Sequence, residues 1–179
     1  MILIQEVIRD VVERVSEKLR VDINFQCGDA IYVKDQLQIL SSAPNADRLK
    51  YPLFLLYMPI QEDKTDAKFY SKVSLRILIA TLSEKGFSYE QRLEYSFQNI
   101  LHPIYETFIE ELKNDNRFIH EYFNHIPHTY VDNYQYGYHG TVAGDNEVFE
   151  TIDGIDLTNI KLTLRNERIC KNLPIGRKI

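Results

Sequence analysis

Apolar residues recur at Ile4, Val7, Ile8, Val11, Val12, Val15 and Leu19, and charged or amide residues fill most positions between them. That spacing predicts an amphipathic helix with one buried stripe. Its β-branched residues lower intrinsic helicity, so packing must supply most of its stability. Val21–Gln26 predicts a strand, Gly28-Asp29 a turn, and the loosely alternating Ala30–Leu40 a second strand. Ser41–Lys50, with Pro44, Asn45 and Asp47, reads as an exposed loop. Leu53–Met58 is apolar at both parities, which suits a strand covered on both faces. Pro59 ends it, and Gln61–Lys68 is a charged connection.

The most informative stretch is Phe69–Leu112. Val73, Leu75, Ile77 and Ile79 point one way, and Lys72, Ser74 and Arg76 the other. Leu78 and Ala80 interrupt the polar face, so that face is expected to be partly covered. This strand and the preceding one, joined by a short connection, are expected to pair antiparallel. The loop Leu82–Phe87, with Gly86, leads to Ser88-Tyr89-Glu90-Gln91, a capping box that opens a helix running to about Leu112. Pro103 lies inside that helix and removes one backbone donor, which predicts a kink near Asn99–His102. Tyr134–Tyr138 reads as one arm of a hairpin with Thr141–Glu147 as its loop. In the last strand, Ile155–Arg165, parity breaks between Leu157 and Ile160–Leu162–Leu164, the mark of a bulge or a late start.

The order is that of an α+β fold: a mainly antiparallel sheet, with an N-terminal amphipathic helix and one long helix packed on one face. The organisation expected is a single domain over 1–165, with 117–150 as a protruding insertion and 166–179 as a basic tail.

Composition narrows the function classes. The net charge is −5, but from Arg165 onward five cations face only Glu167, a balance of +4, which leaves −9 on the rest. An acidic body does not favour broad nucleic-acid binding. No apolar run approaches the ~20 residues of a membrane span, and the start lacks the basic region of a signal peptide. Cys27 and Cys170 form no CxxC pair, so two reduced thiols are expected. With seven glycines, neither a GxGxxG nor a P-loop pattern occurs, and no cofactor is expected.

Candidate chemistry is sparse. His120, His125 and His128 with Asp132 carry metal-ligating groups, but their spacings of five and three do not stack two rings on one helical face. Cys27 or Cys170 with a histidine is a formal nucleophile–base pair without a local signature. Asp153 with Asp156, and Glu62 with Asp63, are formal acid–base pairs in turn-like or polar surroundings. Tyr130–Tyr138 has aromatics for base stacking but lacks interleaved cations; an interface hairpin fits it better. No catalytic, cofactor or metal residue is assigned.

The Pro-led apolar strand Tyr51–Tyr57, the alternating strand Val73–Thr81, the long helix Ser88–Leu112 and the closing strand Gly154–Leu164, behind an N-terminal helix, form a distinctive order. It resembles the tail-terminator, or tail-completion, proteins of tailed bacteriophages and prophages, over about Ile2–Arg165. The resemblance implies a non-enzymatic virion subunit, assembled in the host bacterial cytoplasm. It implies a ring, typically a hexamer, at the head–tail junction or tail end, which terminates the tail tube and joins neighbouring connector and tube proteins. It further implies that DNA passes through the lumen without sequence-specific binding and that no membrane is involved. The long Arg117–Glu150 segment and the basic tail depart from the family's pattern. The competing readings are a metal-dependent hydrolase built on His120, His125, His128 and Asp132, and a cytoplasmic adaptor domain.

Overall fold

Six residues of the expected stripe, Ile4, Val7, Ile8, Val11, Val12 and Val15, are buried by α1 (Ile4–Leu19). The computed structural model describes residues 3–29, 31–33, 35–36, 45–65, 69–84, 86–120, 125–136 and 151–165. Helix α1 ends in a Schellman arrangement: the Arg20 amide donates to the Glu17 carbonyl and the Val21 amide to that of Ser16. Arg20 takes the left-handed position there, at φ 55°.

Strand β1 (Asn24–Gly28) overlaps the expected strand but starts later and takes in the glycine of the expected turn. The strand expected over Ala30–Leu40 is corrected: residues 31–33 and 35–36 are helical, and 37–40 lie outside the described residues. The cause is Asp29, whose carboxylate accepts the Tyr32 amide at 2.8 Å and caps the turn. The exposed loop expected over Ser41–Lys50 is corrected in part. Its end is a short helix, α2 (Ala46–Lys50), and Lys50 is only 2% exposed, its ammonium 5.9 Å from the Tyr51 ring centroid.

Strand β2 (Leu53–Tyr57) is buried at four of its five positions. The charged connection contains a short strand, β3 (Gln61–Asp63). Strand β4 (Tyr70–Leu82) leads to the long helix α3, 26 residues in three stretches: Tyr89–Gln91, Arg92–Leu101 and His102–Asn114. The capping box at its start is complete in both directions. The middle stretch is a π-helix, closed by the His102 amide on the Phe97 carbonyl. Pro103 sits at the start of the α-helical stretch that follows. The hydrogen-bond register changes at the expected position of the kink, and the missing proline donor falls at that hand-over. Strands β5 (Phe118–Ile119), β6 (Thr129–Tyr136) and β7 (Ile152–Arg165) complete the sheet.

The sheet runs β1-β2-β4-β7-β5, with β3 also on β4 and β6 also on β7. β1 and β2 are parallel, and every other pair is antiparallel, including β2 with β4 as expected. Phe54 and Leu56 of β2, Val73, Leu75, Ile77 and Ile79 of β4, and Ile155 and Leu157 of β7 join α1 and α3 in the main core. The opposite parity, Leu53, Leu55, Leu78 and Ala80, forms a smaller core with Val33 and Tyr51. That second cluster is the partial cover expected over Leu78 and Ala80. The parity break in β7 is a bulge: Leu75 pairs with Ile160, but Ile77 pairs with Leu157. Asn159 takes φ 55° there, a conformation asparagine adopts more readily than most residues, and Ile160, Leu162 and Leu164 return to the core face. Among the described residues no helix is long and apolar enough to cross a membrane.

Candidate functional site

The four residues of the metal hypothesis do not converge. His128 has both ring nitrogens engaged, one with the Tyr105 hydroxyl at 2.9 Å and one with the Ile126 carbonyl at 2.7 Å. Asp132, next along β6, accepts the Tyr130 hydroxyl at 2.6 Å and lies 3.8 Å from His102. His120 and His125 line a separate cleft beyond β5. Among the described residues no group of three or more His, Cys, Asp or Glu side chains is placed to hold a metal ion.

The carboxylates of the formal acid–base pairs are each engaged by other partners. Asp153, fully buried, accepts the Arg92 guanidinium and the Ser96 hydroxyl, each at 2.7 Å. This network ties the π-helical stretch of α3 to β7. Asp156 accepts two bonds from Arg76, at 3.3 and 2.7 Å, and that guanidinium stacks 4.6 Å from the Tyr57 ring centroid. Glu62 meets Lys64 at 2.8 Å, while Asp63 accepts the Thr65 amide and hydroxyl. Burial pushes the Cys27 thiol up despite the attraction of Arg9, the opposite of an activated nucleophile. Cys170 lies outside the described residues, as do the expected hairpin loop Thr141–Glu147 and the basic tail.

A charged network also fastens α1 to the end of α3. Arg14 bonds Glu111 at 3.0 Å and Asp115 at 2.7 Å, and Arg117 reaches Asp115 and Asp10, both at 2.6 Å. Burial alone would raise the Asp115 carboxyl, but the donors of Arg117 and Arg14 outweigh it and hold it at about 2.

The sheet edge at β1 is the feature that periodicity missed. The Asn24 amide donates to the Pro52 carbonyl at 2.9 Å, and the Met58 amide to that of Gly28 at 3.1 Å. In a parallel ladder such residues alternate, so Asn24, Gln26 and Gly28 face β2 and the backbones of Phe25 and Cys27 face away. No partner for those outward groups lies among the described residues. Beside them the helical turn after Gly28 exposes Ile31 (75%) and Tyr32 (50%), and Met58 is 37% exposed. A strand-length apolar run reveals burial but not which neighbours a strand has, so only coordinates could show the open edge. Comparison of the chain with protein-family models, with curated proteins and with solved structures finds no match to any of them.

Proposed function

We propose that this chain is a structural subunit of a tailed phage or prophage virion, and that its copies close into a ring at the head–tail junction or tail end. The observation that carries the reading is the outer edge of β1, which has no backbone partner among the described residues and is flanked by Ile31, Tyr32 and Met58. Strand edges without a partner are templates for pairing with another chain. A ring needs a heterologous contact, in which two different surfaces of the subunit meet. The sheet offers two such surfaces, β1 at one end and β6 at the other, where Val131 is 43% exposed. The order of helix, apolar strand, alternating strand and long helix also fits the resemblance to tail-terminator proteins. The acidic body is compatible with a lumen through which DNA slides, because like charge repels phosphate.

Native mass measurement and electron micrographs of the purified full chain test the reading. A closed, hexamer-sized ring is expected; a strict monomer at high protein concentration rejects it. Cys27→Pro removes an outward-facing amide and no ladder hydrogen bond, together with a partly buried thiol, so it is expected to weaken assembly while the β1–β2 ladder persists.

A further inference from the structure

The cleft lined by His120 and His125 has a volume of about 500 Å³, a size common for small-molecule sites. Its floor lies on the sheet face opposite the main core. There Lys72 of β4 stands opposite Thr163 of β7, and Ser74 opposite Lys161. The two lysines therefore occupy one diagonal of a four-residue square and the two hydroxyls the other. Diagonal neighbours in an antiparallel pair are roughly 7–8 Å apart, within range for two long ammonium side chains to meet on one anion. Thr163 is only 9% exposed although it lies on this polar floor.

The walls add a mainly apolar lining, with Val73, Leu162, Ile119 and Pro127 around the polar groups. Gln61 and Asp63 stand opposite Ser74 and Lys72 on one flank, and Ile119 stands opposite Thr163 on the other. The Lys161 amide donates to the Pro127 carbonyl at 3.1 Å and so anchors the far wall. Asp63 is the one carboxylate among the lining residues, and it already accepts two bonds from Thr65. Among the described residues neither Lys72 nor Lys161 forms a direct ion pair, although Asp63, opposite Lys72, feels its positive charge. The Nε2 atom of His120 is buried and has no hydrogen-bond partner there.

We propose that this cleft binds a small oxyanion, the phosphate or carboxylate group of a compact organic molecule. Lys72 and Lys161 supply the counter-charge, and Ser74 and Thr163 supply hydroxyl donors. Ile119 and Pro127 cover the organic part. The proposal rests on these residues alone and stands whether or not the chain forms rings.

Calorimetric titration of the full chain with inorganic phosphate, methyl phosphate and succinate tests it. Saturable binding of at least one probe at one site per chain is expected, and the arm that saturates names the anion class. Lys72→Gln and Lys161→Gln, both at exposed positions, are each expected to weaken that binding by about tenfold or more, the loss of one charge-assisted contact. Lys113→Gln, on α3 and outside the cleft, leaves it unchanged. If none of the probes saturates, or if both cleft variants bind as tightly as the parent with circular dichroism unchanged, the proposal is overturned.

Discussion

Asp153 and Asp156 lie three residues apart on one strand and face different costs. Asp153 is fully buried against Arg92, itself 5% exposed, whereas Arg76, the partner of Asp156, has a half-exposed side chain. Asp153→Ala strands a buried guanidinium and is expected to cost about 3–5 kcal/mol, while Asp156→Ala costs about 1 kcal/mol or less. Chemical denaturation of both variants checks this, and equal losses refute it. A double variant that also replaces Arg92 with leucine should recover most of the larger loss. Asp115 adds a pH dependence. Its carboxyl sits at about 2 in the folded chain against an ordinary 3.8, so protons bind the unfolded chain more readily. Its stabilisation is complete above pH ~4 and fades as pH falls toward ~2. The amount is at most about 2 kcal/mol, reduced by solvent around the partly exposed Arg14. Asp115→Asn should flatten that acid limb in denaturation curves taken from pH 5 to 2; an unchanged difference from the parent across that range excludes the effect. None of this was legible in the sequence, where Asp153 and Asp156 look like turn residues. Their partners lie 61 and 80 residues away in the chain.

At the scale of elements, legibility follows how local the cause is. The stripe of α1, the capping box at Ser88, the two parities of β4 and the bulge before Ile160 arise from neighbouring residues, and periodicity captures them. The turn capped by Asp29 was hidden by a loose alternation over Ala30–Leu40, although Asp three residues before Tyr32 is the available signal. The π-helical stretch has no comparable signature; only Pro103 marks its end. The end of α1 makes a prediction of its own. Arg20 holds a left-handed position that normally goes to glycine, and its side chain is exposed. Arg20→Gly is expected to raise stability by roughly 0.5–1 kcal/mol through relief of that conformation. A lower denaturation midpoint would show that the arginine side chain makes a compensating contribution.

For the whole molecule, the α+β class and the mainly antiparallel sheet were readable because α1, β2, β4, α3 and β7 each bury a clean pattern. The parallel β1–β2 pair was not, since two short strands separated by a capped turn and α2 give no sign of their relative direction. Nor were the cleft and the outer edge of β1, unpaired among the described residues, which exist only once distant strands lie side by side. The open edge carries a kinetic signature. In deuterated buffer the amides of Asn24, Gln26 and Gly28 should exchange slowly and those of Phe25 and Cys27 rapidly, a period-two alternation along five residues. Ring closure through this edge would erase the alternation by slowing the fast pair. Residue-by-residue exchange rates, taken on dilute and concentrated protein, would thus report which edge another copy covers without a structure of the assembly.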